Sequence, residues 1–219
     1  MASAIDDLPA RAIVVDFDGT VTERDSLELV VHEFGDRRVR RAVEQQLGGA
    51  LTLNEVIALQ YGTLSEPLGV VSEWLVTHSR FRPGFGELVR LAGRRAWPLW
   101  IVSSGVGELI GPLLAREGLS DVPVIANSLA GEPPPWAVSF GDPEPCPVCH
   151  EACKRRTVAR LREDSEVVYI GDGFSDGCAA ESADLVFARR RLAAYLQERG
   201  VPFEPFDDFV PIVRRLSES

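Results

Sequence analysis

Two aspartates at positions i and i+2, Asp16 and Asp18, close the apolar run Arg11-Ala12-Ile13-Val14-Val15 and are followed by Gly19, Thr20, Val21 and Thr22. A carboxylate can attack phosphorus, and a second one beside it can carry a proton to and from the departing oxygen. Carboxylates this close repel each other, and a divalent cation relieves the repulsion. The apolar run has the length and composition of a buried parallel strand, so both acids fall beyond its carboxyl end, where ligands gather in an open α/β sheet. A turn starting at Asp18 would bring its backbone carbonyl round instead of its side chain. By itself, Asp-Phe-Asp-Gly also suits an ordinary strand-end turn.

Three later stretches carry compatible chemistry. Val102-Ser103-Ser104-Gly105 follows the strand-like Pro98-Leu99-Trp100-Ile101, and Gly171-Asp172-Gly173-Phe174-Ser175-Asp176 follows Val167-Val168-Tyr169-Ile170. The Ser103 hydroxyl, with the Ser104 and Gly105 amides at a helix start, suits a phosphate group. Lys154, in Cys153-Lys154-Arg155-Arg156, supplies positive charge to offset gathered carboxylates. Taken singly, Ser103 reads equally as a helix N-cap, Lys154 as a surface lysine and Gly-Asp-Gly as a turn.

In this order the four segments resemble the four motifs of the haloacid dehalogenase (HAD) superfamily, and together they span nearly the whole chain. The resemblance implies an α/β fold, a three-layer Rossmann-like core with a parallel sheet and a small helical cap inserted after the first strand, as in the phosphoserine-phosphatase-like branch. It implies Asp16 as nucleophile and Asp18 as general acid and base. It further implies Mg²⁺ held by the Asp16 side chain, the Asp18 carbonyl and the Asp172 side chain, with Asp176 holding a metal-bound water or orienting Lys154. Phe17, Ser103, Ser104 and Lys154 would bind the phosphate. Asp18 argues against dehalogenation, because a departing halide needs neither an acid nor a metal, and Thr20, Asp172 and Asp176 point the same way, to phosphomonoester hydrolysis.

The elements that must position these residues can be read from patterning. Residues 23–81 contain a run of helices without a convincing strand: one from Ser26 as N-cap to Phe34, one opened by Asp36 and closed by Gly48-Gly49, one begun by the capping box Thr52-Leu53-Asn54-Glu55, and one from Pro67 to His78. Such a block cannot join the sheet and must lie over the strand ends, so the expected domains are a core of residues 1–22 plus 82–219 and a cap of residues 23–81. Further strands are expected at Pro98–Ser103, Val122–Asn127 (an outer strand, because Pro123 cannot donate to a ladder), Val167–Ile170 and Leu185–Ala188. Helices are expected over 84–96, over 105–117 with a stop at Gly118, over 154–162 and over 178–183, and Trp136–Phe140 suits one arm of a hairpin. Asp25, His32, Gln60 and Tyr61 in the cap, with Arg80 and Arg82 at its return, are candidates for reading the leaving group. No arginine stands between Leu53 and Tyr61, where phosphoserine phosphatases clasp the substrate carboxylate.

Cys146-Pro147-Val148-Cys149-His150-Glu151-Ala152-Cys153 abuts Lys154, a C-x₂-C-x₃-C run to which Cys178 or His150 can add a fourth ligand for a structural Zn²⁺; reduced thiols on a turn are the alternative. This cysteine group and the tail Phe203–Phe209 resemble the methionine-salvage 2-hydroxy-3-keto-5-methylthiopentenyl-1-phosphate phosphatases more than phosphoserine or phosphocholine/phosphoethanolamine phosphatases. The 219 residues carry a formal net charge of −10, which disfavours nucleic acid and anionic membrane as partners and favours a small phosphorylated metabolite bound at a local positive site. The acidic start Met1–Asp7 lacks a signal-peptide pattern and no stretch approaches a membrane span, so a cytoplasmic monomer or homodimer is expected. A non-catalytic phospholigand-binding protein and a phosphotransferase to an acceptor other than water are the rival readings.

Overall fold

The computed structural model describes residues 11–46, 49–141, 146–150 and 153–218. The acidic start, Gly48 and the Glu151-Ala152 pair lie outside the described residues. Among the described residues seven strands form one sheet in the order β4-β3-β2-β1-β5-β6-β7. β1 (Arg11–Val15) sits at its centre, parallel to β2 (Leu99–Val106) on one side and β5 (Glu166–Gly171) on the other. β6 (Leu185–Ala188) and β7 (Glu204–Pro205) continue in parallel beyond β5, while β3 (Val124–Leu129) lies parallel to β2. The edge strand β4 (Val138–Ser139) is antiparallel to β3.

The alternation along β1 builds three layers. Ile13 and Val15 pack with one apolar cluster and Ala12 and Val14 with another, as the two-residue period of a strand requires. The first cluster takes in Leu88 and Leu91 of α5 (Phe85–Arg94), Leu109 and Leu113 of α6 (Gly107–Arg116), and Phe209 and Ile212 of α10 (Phe209–Ser217). The second takes in Val158 of α7 (Arg155–Leu161), Ala179 of α8 (Gly177–Ala180) and Leu192 of α9 (Arg190–Glu198). The α/β class expected from the sequence is the one found.

Among the described residues, four helices run between β1 and the start of α5: α1 (Ser26–Phe34), α2 (Arg37–Glu44), α3 (Leu53–Tyr61) and α4 (Leu68–His78). Chain departure and return meet at one antiparallel bridge, Thr22 with Phe81. The Thr52/Glu55 capping box begins α3 as expected, and the Asp36 side chain accepts from the Arg38 amide to open α2. The N-cap of α1 is Asp25, whose carboxylate accepts from the Glu28 amide at 2.9 Å, and not Ser26, whose hydroxyl is buried without a partner.

Other boundaries differ for identifiable reasons. β2 continues to Val106 through a register shift after Val102, so α6 starts at Gly107 and the Ser104 and Gly105 amides precede the helix instead of opening it. β3 begins after Pro123 and is covered on its outer side by β4, whose pairing satisfies the edge that the proline was expected to mark. Gly118 does end the α6 region in a left-handed conformation, φ +69°. The elements α9, β7 and α10 had no counterpart among the expected elements, although Phe209, Ile212 and Leu216 follow helical spacing and are all fully buried.

Arg82 is a structural residue and does not face a substrate. Its guanidinium donates to the carbonyls of Thr20, Gly19, Thr22, Glu23 and Asp207, tying the loop after β1 to the segment before α10. Arg80 is exposed, and its carbonyl accepts from the Glu23 amide. Replacing Arg82 with methionine keeps the aliphatic stem and leaves these carbonyls unanswered. Arg82→Met should therefore cost about 2–4 kcal/mol, read from urea unfolding midpoints.

Candidate active site

The loop after β1 is shaped so that four acids meet at the sheet's carboxyl edge. Gly19 adopts φ +80°, and a Cβ there would come within 2.6 Å of Asp172 Oδ2, so only glycine lets the β1 and β5 loops approach. Thr20 Oγ1 donates to Asp172 Oδ1 at 3.1 Å across the same gap. Asp18 is turned towards β2: Oδ2 accepts from Ser103 Oγ at 3.2 Å and Oδ1 from the Ser26 amide at 3.0 Å. Gly105 permits that approach, because a Cβ would fall 2.7 Å from Asp18 Oδ2. The Gly105 amide is spent on Ser103 Oγ at 2.9 Å.

Behind Asp16 lies a buried charge relay. Lys154 Nζ donates to Asp16 Oδ1 through a short contact and to Asp176 Oδ1 at 2.6 Å. Asp176 is fully buried and fully engaged: Tyr169 Oη donates to Oδ1 at 2.7 Å, and the Asp172 and Gly173 amides donate to Oδ2 at 3.0 and 2.8 Å. Burial first, then the charge of Asp176, push the Asp16 carboxyl well above its ordinary range, with Lys154 pulling the other way. Asp172 is raised by burial and by Asp176 in the same manner. Burial would discharge Lys154, yet the Asp16 and Asp176 charges outweigh it and raise its pKa.

Asp16, Asp172 and Asp176 bring carboxylate oxygens within 4.8 Å of one another. One lysine among three acids leaves a surplus of negative charge facing hard oxygen donors, which suits Mg²⁺. The free approach belongs to Asp16, Asp18 and Asp172, which line a cavity of about 420 Å³, whereas Asp176 and Lys154 stand behind it. Phe17 also lies outside the cavity: its ring packs edge-on against Phe81 at 5.7 Å and its carbonyl accepts from the Thr22 amide.

The cavity's floor includes Ser103, Ser104 and Gly105, and its roof comes from α1, α2 and α3. Leu53, Val56 and Ile57 form an apolar roof patch opposite Phe174, which is 48% exposed. Arg40 joins them, paired with Glu44 at 3.1 Å and Glu28 at 3.5 Å. Of the cap residues expected to read the substrate, Asp25 and Gln60 line the cavity; His32 is exposed outside it and Tyr61 is buried in a stack with Trp136. Patterning missed Tyr169, which reads as one more strand aromatic, and Arg190 and Arg191, which line the cavity from the carboxyl end of β6. The same strand-end logic that found Asp16 would have found the two arginines.

The second group among the described residues able to hold a metal is sulfur-rich: Cys146, Cys149, Cys153 and Cys178 place their Sγ atoms within 4.8 Å of one another. His150 is exposed and is not a member of the group.

A strand-end aspartate pair, a lysine–aspartate relay and a helical roof over one cavity define a hydrolase of a particular class. The family model for haloacid dehalogenase-like hydrolases matches residues 13–181, and the chain belongs to that family. Within the family it is a phosphatase. It is 31% identical to a 2-hydroxy-3-keto-5-methylthiopentenyl-1-phosphate phosphatase of Geobacillus kaustophilus, over 92% of this chain and 93% of that protein. It is 27% identical to a polyol phosphate phosphatase of Saccharomyces cerevisiae, over 94% and 92% of the two chains. A phosphoserine phosphatase from T. onnurineus shares the fold with a TM-score of 0.69 at 18% identity, covering 98% of both chains.

Asp25 couples the cavity to stability. Burial and the neighbouring Asp18 charge raise its pKa from 3.8 to about 7, against the Glu28 amide. A raised carboxyl pKa stabilises the fold below the unfolded value and loses that contribution as pH rises through the folded one. Stability of the wild type relative to Asp25→Asn, which keeps the cap, should fall between about pH 4 and pH 7, with a slope below ~1.4 kcal/mol per pH unit because Asp25 keeps part of its surface in solvent. Urea unfolding of both proteins across that range measures it.

Proposed function

We propose that this chain is an Mg²⁺-dependent phosphomonoesterase that passes a small metabolite's phosphoryl group through Asp16. The observation that carries the reading is the placement of Asp16 at the cavity floor, its Oδ1 held from behind by Lys154, with Asp18 and Asp172 on the same floor. A carboxylate held by one oxygen keeps a fixed direction of attack. Asp16 forms a bond to phosphorus as the ester oxygen leaves, and Asp18 gives that oxygen its proton. Asp18 then takes a proton from water as the water oxygen attacks the Asp16-bound phosphorus, which frees inorganic phosphate and restores the carboxylate. Ser103, beside Asp18, and the Ser104 backbone at the end of β2 steady the phosphoryl oxygens. Asp16, Asp172 and the Asp18 carbonyl are the residues that would hold Mg²⁺, which when bound neutralises the phosphoryl charge that would otherwise repel Asp16. Asp176 is read as the group that orients Lys154, since both its oxygens are already occupied.

Residues 23–81 act in this reading as a cap over a core of residues 1–22 and 82–219. The cap selects the leaving group. Its Leu53, Val56 and Ile57 patch opposite Phe174 favours an apolar end, in keeping with the methylthio-pentenyl substrate that names the Geobacillus kaustophilus relative. Among the described cap residues that line the cavity the one arginine, Arg40, is already paired with Glu28 and Glu44, which leaves the cap no free guanidinium to clasp a serine carboxylate.

Asp16→Asn should abolish Mg²⁺-dependent phosphate release from a chromogenic aryl phosphate, by more than about 10³-fold, with the native circular-dichroism spectrum retained at the assay temperature. Activity near the wild-type level would remove Asp16 as nucleophile, and a new ester in place of free phosphate would make the chain a phosphotransferase. Across a panel of phosphorylated metabolites, replacing the half-buried cavity residue in Leu53→Asn should raise KM roughly 10-fold for methylthio-pentenyl phosphates and leave kcat for a small aryl phosphate within about 3-fold. Preference of the wild type for phosphoserine or phosphoethanolamine would overturn the apolar roof as the selector.

A further inference from the structure

The mechanism leaves the four cysteines unused, and they converge from two separate parts of the chain. Cys146, Cys149 and Cys153 come from the segment that ends at Lys154, whereas Cys178 lies in α8, two residues beyond Asp176. Every Sγ is within 4.8 Å of every other, and Cys146 and Cys178 are 3.8 Å apart. That spacing excludes a disulfide, whose sulfurs are about 2.05 Å apart. It matches the edge of a ZnS₄ tetrahedron, about 3.8 Å for a Zn–S bond of about 2.3 Å. It is too tight for a multi-iron cluster, which holds its thiolates farther apart.

Two further observations point to a bound cation. The Val148 amide donates to Cys146 Sγ at 3.4 Å, the arrangement in which backbone N–H groups steady a thiolate ligand. The Arg155 guanidinium donates to Cys178 Sγ at 3.7 Å and to the Cys178 carbonyl at 2.9 Å, placing positive charge against a centre that would carry two net negative charges once four thiolates surround a dication. Thiol protons released on binding pass to solvent.

We propose that Cys146, Cys149, Cys153 and Cys178 bind one Zn²⁺ ion that fastens the Lys154 turn to the α8 helix and so sets the Lys154–Asp176 contact. Four protein ligands leave no open position, so the ion is structural. Its role lies outside the phosphoryl chemistry, and zinc content reports on it whether or not the phosphatase reading holds.

Protein purified under reducing conditions and dialysed should contain one zinc per chain by elemental analysis. A mercurial titrated into the wild type should release that zinc to a chromogenic chelator as four thiols react. Exchange with Co²⁺ should give thiolate-to-metal charge-transfer absorption and the intense visible bands of a tetrahedral sulfur site. Cys178→Ser should lower the melting midpoint by roughly 5–10 °C and abolish the cobalt spectrum. Four freely reactive thiols in zinc-supplemented native protein, stoichiometric iron in place of zinc, or a Cys146–Cys178 disulfide in the reduced preparation would each overturn the proposal, and the mercurial titration decides it even if the serine variant does not fold.

Discussion

A lysine buried between two aspartates is the constraint on which this structure turns. Lys154 is about 5% exposed, and removing a charge from water is costly unless it is answered at close range. Asp16 and Asp176 answer it, and Tyr169 with the Asp172 and Gly173 amides answers what remains of Asp176. Taking out any one partner strands another. The packing of β1, β5, α7 and α8 thus fixes the direction of a single carboxylate oxygen, and the remaining side of Asp16 faces the cavity.

The roof supplies what this relay lacks. In the proposed reading the relay handles a phosphoryl group without regard to what is attached to it, whereas α1, α2 and α3 line the rest of the cavity with an apolar patch and one paired arginine. The two functions sit on separate stretches of chain that face each other across the cavity and are joined beside it by the Thr22–Phe81 crossing, the Tyr61–Trp136 stack and the bond from the Trp136 indole to the Glu66 carbonyl. On the proposal that the cap selects the leaving group, preference can drift by substitution on three short helices while the floor stays constant, which fits relatives whose names record different phosphorylated metabolites.

How much of this could be read beforehand depended on whether a residue's meaning was local. Asp16, Asp18 and Asp172 each stand directly after an apolar strand, so their arrival at one edge follows from parallel-sheet topology, and the helical run between β1 and β2 follows from its periodicity. Lys154 was legible as a charge but its depth was not, because burial depends on α7 and α8 closing over it. Arg82 was a candidate for reading the leaving group, and its place outside the cavity was not legible because composition records a guanidinium and says nothing about the five carbonyls that surround it. Ser103-Ser104-Gly105 looked like a helix start, and the register shift in β2 that delays the helix to Gly107 has no mark in local propensity. Tyr169 was hidden within a hydrophobic run, its hydroxyl indistinguishable from an ordinary aromatic's until Asp176 is placed beside it.

The alternation of β1 has one last consequence. With Ala12, Ile13, Val14 and Val15 all wholly enclosed, and partners in register on both flanks, the strand has no alternative alignment that keeps hydrocarbon out of water. Sliding it by a single position would exchange its two faces and swing the Asp16 carboxylate into oil. The aim of the Asp16 carboxylate, the nucleophile of the proposed reading, is thus proofread by four aliphatic groups that do not line the cavity.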